Sequence, residues 1–94
     1  MIVAGSYYCD RAVLHTLTVG SYIDLEREPD NPYDEDAVKL LYDGKKIGYI
    51  AKKDSLAFVT CLKLRQSIYG VITAIIEDSG RTIYEYETWF DGTR

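Results

Sequence analysis

The 94-residue sequence predicts a mainly β fold with one or two helices (α+β), a small curled sheet or barrel. Three observations lead there. Short runs of β-branched and aromatic residues alternate with polar ones at a period of two. Tight-turn dipeptides separate them. Only one segment carries a helical apolar stripe. Sequential hairpins then give about six mostly antiparallel strands, with the helix plugging one end of the barrel.

Residues 2–8 read as a first strand, with Gly5 allowing a bulge or a close backbone approach. In residues 9–18, Val13, Leu14 and Leu17 fit a helical turn while Arg11-Ala12-Val13-Leu14 fits extended chain equally well; this is a loop with room for a short helix. Residues 21–28 form a cleaner strand, alternating Ile23 and Leu25 against Tyr22, Asp24 and Glu26, and Pro29 ends its ladder. Residues 37–42 and 45–51 form a hairpin across Asp43-Gly44, both of whose central positions tolerate positive φ. That turn sets Leu40 opposite Ile47 and Val38 opposite Tyr49 on the core face, with Lys39 facing Gly48 on the other.

A helix opens at Lys52-Lys53-Asp54-Ser55, with Asp54 or Ser55 as its cap, and ends by Ser67. Its apolar side is expected to be Leu56, Val59 and Leu62 with Ala57, Cys61 and Leu64. Residues 69–78 and 81–90 make a second hairpin across Ser79-Gly80, the last strand alternating Tyr84 and Tyr86 against Ile83, Glu85 and Glu87. No repeat, low-complexity tract or linker interrupts the chain, so residues 1–94 are expected to be a single domain.

Composition narrows the function classes. Fifteen acids against eleven bases leave a net charge of −4, which argues against gripping duplex DNA along a basic surface. A small site that stacks one or two nucleotides is compatible with that charge. No stretch approaches the ~18 unbroken apolar residues of a membrane span, and residues 1–5 lack the charged region of a secretory signal. A cytoplasmic protein without membrane contact is expected. Cys9 and Cys61 read as reduced, buried thiols, a disulfide between them being the alternative.

Catalytic and metal chemistry find little support. His15 is the only histidine and no nucleophile motif adjoins it; neither cysteine has metal-ligand spacing. Asp30, Asp34, Glu35 and Asp36 lack the glycine and terminal glutamate of a calcium loop, and read as a solvated turn whose acids cap local backbone. No enzyme activity, cofactor or metal is expected.

The stretch from Arg27 to Ala51 is the most specific. A strand ends in Arg27-Glu28-Pro29, the turn Asn31-Pro32-Tyr33-Asp34 follows, then an Ala37-Val38 strand and a Gly48-Tyr49 strand before the helix. Pro fixes φ and Asn and Asp bond back to their own backbone, so the turn has a defined shape with an aromatic at its tip. Together with Gly5-Ser6-Tyr7-Tyr8, this order of motifs resembles the HIRAN domain family over nearly the whole chain.

The resemblance implies a small six-stranded β-barrel related to the oligonucleotide-binding and SH3-like folds. It also implies a nucleic-acid-binding module for the 3′ end of single-stranded DNA, acting in DNA repair or replication-fork processing. By motif position, Tyr7 and Tyr33 would sandwich the terminal bases, Asp34 would accept the hydrogen bond of the 3′-hydroxyl, and Lys52 or Lys53 would contact phosphate. Tyr8 and Asn31 complete the expected site. A helicase or nuclease partner would be supplied in trans.

One departure weakens the expected binding. DNA-binding members often carry an arginine just before the paired aromatics, where this chain has Ser6. The lost contact is worth ~1.5–3 kcal/mol. Lys45 and Lys46 are expected to lie too far off to compensate, about 20 Å from Lys52 at ~3.3 Å per strand residue. Two other readings stand beside this one. In one, Tyr7 and Tyr33 pack on each other or on Pro32; in the other, the barrel is a protein-interaction adaptor with an acidic, tyrosine-rich face. A metal-dependent nuclease using the acidic loop is the least favoured.

Overall fold

Alternation and turn chemistry produce a five-stranded antiparallel sheet in the computed structural model, which describes residues 1–93. Its strands are β1 (Tyr22–Arg27), β2 (Val38–Tyr42), β3 (Lys45–Tyr49), β4 (Gln66–Asp78) and β5 (Arg81–Thr93), in the order β3-β2-β1-β4-β5. Two short helical elements, a 3-10 turn (Ser6–Tyr8) and α1 (Arg11–Leu14), precede β1, and α2 (Lys52–Lys63) joins β3 to β4. Both hairpin turns are the expected dipeptides. Asp43 and Gly44 have φ of +52° and +76°, and Ser79 and Gly80 have +52° and +79°, the twist that two-residue hairpins need.

Alternation places the core. Ile23 and Leu25 of β1, Val38 and Leu40 of β2, and Tyr84 and Tyr86 of β5 are buried, together with Ile47, Ile68 and Ile72. The Tyr84 hydroxyl donates to the Leu14 carbonyl at 3.4 Å, tying α1 to the sheet. The Tyr86 hydroxyl is buried with no partner among the described residues, and burial pushes its pKa well above the ordinary tyrosine value.

Three expectations are corrected. The first strand is not continuous over residues 2–8. Ile2 bridges to Glu85 of β5 and Ala4 to Tyr49 of β3, but Gly5 turns left-handed at φ +67° and sends the chain into the 3-10 turn. Residues 1–4 therefore stand in for the sixth strand, linking the two outer strands of the sheet. The Val3 amide donates to the Tyr84 carbonyl on one side, and Ala4 and Tyr49 exchange both backbone hydrogen bonds on the other, at 2.9 and 2.8 Å.

The second correction is the register of the β2–β3 hairpin. Tyr42 pairs with Lys45 and Leu41 with Lys46, but Leu40 then pairs with Gly48 and Lys39 with Tyr49. Ile47 is the extra residue of a bulge, which bends the strand and turns Ile47 and Gly48 both inward. The third concerns α2: Ser55 and Val59 are buried along one face with Phe58 and Leu62 half-buried, the expected Cys61 is half-buried beside them, and Leu56, Ala57 and Leu64 are exposed. Ser55, Phe58, Val59 and Leu62 make the i, i+3, i+4, i+7 face. Neither Asp54 nor Ser55 caps the helix: its N-cap is Ala51, and the Ser55 hydroxyl donates to the Lys52 carbonyl instead.

Gly48 is where closure is tightest. A Cβ there would collide with the Val3 side chain and lie 2.7 Å from the Ala4 carbonyl oxygen, at φ +153°. Gly44 has positive φ but open space around it. Gly48→Ala should therefore cost about 2–5 kcal/mol from overpacking and backbone strain. Gly44→Ala should cost only about 1–2 kcal/mol. Urea unfolding of the two variants measures the difference, and comparable costs would mean that residues 1–4 do not close the sheet tightly.

Candidate nucleic-acid interface

The acidic turn is held by its own side chains. Asn31 Oδ1 accepts from the backbone amides of Tyr33 and Asp34 at 2.9 and 3.0 Å, and Asp34 Oδ1 accepts from the Asp36 amide at 2.9 Å. The Ala37 amide returns to the Asp34 carbonyl, closing the loop onto the start of β2. These bonds leave Tyr33 at the apex with 92% of its surface exposed. It packs neither on Tyr7 nor into the core. Among the described residues, Asp34 Oδ2 has no hydrogen-bond partner.

The turn is anchored through Glu28. Its Oε1 accepts from Asn31 Nδ2 and from the Tyr49 hydroxyl, each at 2.8 Å. The Tyr49 hydroxyl in turn accepts from Lys46 Nζ at 3.1 Å, and that ammonium lies 5.0 Å from the centroid of the Tyr49 ring. In a regular strand, residues three apart point to opposite faces. The bulge at Ile47 brings Lys46 and Tyr49 onto the same one.

On the other side of Tyr49 lies the 3-10 turn. The rings of Tyr49 and Tyr8 both come within 4.0 Å of the position a Cβ would take on Gly5. Tyr7 and Tyr8 contact each other, with ring centroids 4.2 Å apart and planes tilted by 42°, and are 71% and 82% exposed. The Tyr7 phenol beside it raises the Tyr8 hydroxyl pKa. Burial pushes the Cys9 thiol up, against the pull of the nearby Lys46 charge. Cys9 and Cys61 are both free thiols.

The expected site residues thus fall into two groups joined by a third. Tyr7 and Tyr8 sit together on the 3-10 turn; Asn31, Tyr33 and Asp34 sit together on the acidic turn; Tyr49, Glu28 and Lys46 connect them. Lys52 and Lys53 are exposed at the start of α2 and make no ion pair among the described residues. Glu28, Tyr49 and Lys46 escaped the sequence reading. Glu28 and Tyr49 belong to the Arg-Glu-Pro and Gly-Tyr motifs, so the signal was present. Lys46 was set aside for its distance along the strand from Lys52; what the bulge adds is that Lys46 shares the face of Tyr49.

Three comparisons place the chain among known proteins. The family model for the HIRAN domain matches residues 2–89. The chain belongs to the HIRAN domain family. No curated protein sequence matches it. A crystal structure of a protein from Lactobacillus plantarum superposes with a TM-score of 0.80 at 30% identity, covering 95% of this chain and 87% of that one. The crystal structure of the HIRAN domain of human HLTF superposes with a TM-score of 0.71 at 26% identity, covering 98% and 73%. HIRAN domains are in general nucleic-acid-binding modules rather than catalysts. Among the described residues, no helix is long and apolar enough to cross a membrane, and no three His, Cys, Asp or Glu side chains group to hold a metal ion.

The Glu28 carboxyl links the two turns, and its ionisation is perturbed. Burial is the largest single influence and pushes its pKa up. Hydrogen bonds from Tyr49 and Asn31, aided by the charges of Lys46 and Lys39, outweigh it and hold the carboxyl below its ordinary 4.5. A carboxyl with a lowered folded pKa stabilises fully above its unfolded value, and the contribution is lost as pH falls through the folded value. Glu28→Gln should lower Tm near neutral pH by roughly 4–8 °C, the shift of ~1 kcal/mol in a domain this size. The deficit should shrink as the wild type is acidified below 4.5. Melting curves across that range check it; a deficit independent of pH would assign the loss to packing.

Proposed function

We propose that this HIRAN domain binds the 3′ end of single-stranded DNA, as a single non-catalytic module over residues 1–94. The observation that carries the reading is the Tyr33-Asp34 pair. An almost fully exposed ring stands at the tip of a turn whose polar groups are internally bonded, next to a carboxylate oxygen that the turn leaves unused. A preorganised ring loses little entropy on stacking, and a stacked base contributes ~1–3 kcal/mol whatever its identity. A carboxylate beside a polyanion is unfavourable unless it accepts a hydrogen bond. A 3′-hydroxyl offers that bond; a 3′-phosphate is repelled.

In this reading Tyr33 stacks on one side of the terminal bases and Tyr7, with Tyr8 beside it, on the other. Asp34 Oδ2 takes the 3′-hydroxyl, and Asn31 holds the turn. Phosphate contacts come from Lys52 or Lys53 and from Lys46. The module works in the cytoplasm beside a helicase or nuclease supplied in trans, serving repair or fork processing.

A second reading has its own observation. On the outer face of the sheet, Tyr22 and Trp89 are 70% and 51% exposed, Tyr22 meets Tyr69 edge-on at 5.7 Å, and Asp24 and Glu87 flank them. An acidic, tyrosine-rich face of this kind suits an adaptor for a basic protein partner.

Fluorescence anisotropy at low salt separates the readings. A short single strand ending in a free 3′-hydroxyl should bind at least tenfold more tightly than the same strand with a 3′-phosphate, about the ~1.4 kcal/mol of one charge-assisted hydrogen bond. Equal affinities would remove the end-detecting role of Asp34, and indifference to DNA altogether would favour the adaptor.

A further inference from the structure

A second surface lies on the far side of the 3-10 turn. Residues 2–7, α1 and the tip of the β4–β5 hairpin enclose a groove of about 830 Å³. Its polar lining includes Ser6, Arg11, His15, Arg81 and Thr82, and Tyr7 forms part of its wall. No carboxylate lines it among the described residues. In a chain with fifteen acids and eleven bases, an acid-free groove holding two guanidinium groups is an electrostatic exception. Arg11 and Arg81 are exposed and make no ion pair among the described residues, though Asp78 is the cross-strand neighbour of Arg81.

We propose that this groove carries the sugar-phosphate backbone of the same single strand, inward from its bound end. The inference rests on the end-binding reading for the position of the terminal base. Tyr7 supplies the continuity: it is the stacking residue of that reading and also lines the groove, so a strand ending on Tyr7 delivers its next phosphates to Arg11 and Arg81. The Ser6 hydroxyl adds a neutral donor, while that of Thr82 already donates to Glu77 Oε1 at 2.8 Å, just outside the lining. At about 830 Å³ the groove is in the size range, ~300–1,000 Å³, of sites that enclose a whole small-molecule ligand, so it takes more than an isolated phosphate. The arrangement also answers the missing guanidinium at Ser6. Arg11 reaches the groove that Ser6 lines, from α1 rather than from the 3-10 turn. Phosphate contacts carry no base information, so the groove would lengthen the footprint without adding sequence preference.

The test compares single strands of about three and about twelve nucleotides, both with free 3′-hydroxyls, by anisotropy across a salt series. Each strand offers a single 3′ end, so the end site alone predicts equal affinity. The wild type should bind the longer strand about tenfold more tightly, as one or more added phosphate contacts require. The double variant Arg11→Gln, Arg81→Gln should lose that gain while keeping its affinity for the shorter strand. Its salt slope for the longer strand should fall by up to about 1.4, two single-strand contacts at ~0.7 each. Melting at the wild-type temperature verifies that the variant is folded. Equal binding of both lengths by the wild type, or an undiminished length gain in the variant, would overturn the groove. Either result leaves the hydroxyl-against-phosphate comparison intact, so the two readings fail separately. Absence of binding to every strand would overturn both.

Discussion

The close approach of residues 3 and 4 to Gly48 is the contact on which the rest of the arrangement depends. The bulge at Ile47 turns Ile47 and Gly48 inward together, and only a residue without a side chain leaves room for the Ala4 carbonyl at that point. Residues 1–4 then hydrogen-bond to β5 on one side and to β3 on the other, which links the outer strands of the sheet. An edge strand left open would present unpaired amides to other chains. Here both outer strands find a partner in the same short segment.

The same bulge organises the site. It sets Lys46 beside Tyr49, and Tyr49 carries the connection through Glu28 to Asn31 and the acidic turn. Gly5, one residue past the closing contact, redirects the chain into the 3-10 turn, with the Tyr8 and Tyr49 rings both beside it. Three segments distant in sequence therefore converge on one tyrosine. Glu28 accepts two hydrogen bonds on Oε1 from two other segments, with the Lys39 ammonium 4.0 Å from Oε2, and serves as a strut. Asp34 differs: it accepts one hydrogen bond, from within its own turn, and has no ion-pair partner among the described residues. That contrast separates the acid that builds the turn's foundation from the acid available to a ligand.

Much of this was legible in the sequence, for identifiable reasons. Asp43-Gly44 and Ser79-Gly80 declare hairpins because few other dipeptides adopt positive φ twice in succession. The alternation of Tyr84 and Tyr86 against Ile83, Glu85 and Glu87 marked one face of the last strand, and that face is the buried one. The order of motifs from Arg27 to Ala51 marked the family, which the match over residues 2–89 shows. The bulge was not legible. Nothing in Lys46-Ile47-Gly48 distinguishes an extra residue from a regular strand, and a shift of one residue exchanges faces. That single step is what sets Lys46 beside Tyr49. The buried stripe of α2 was missed differently: Leu56 and Leu64 are apolar but exposed, while Ser55 is polar and buried with its hydroxyl bonded to the backbone. Hydropathy alone reverses both.

The account makes the surface between the 3-10 turn and the acidic turn the binding face of this HIRAN domain, rather than the aromatic outer face of the sheet. Backbone amide chemical shifts, followed while a single-stranded trinucleotide with a free 3′-hydroxyl is titrated in, test that most directly. The account predicts the largest changes at residues 5–8, 31–34 and 46–49. Changes concentrated instead at Tyr22, Tyr69 and Trp89 would contradict it.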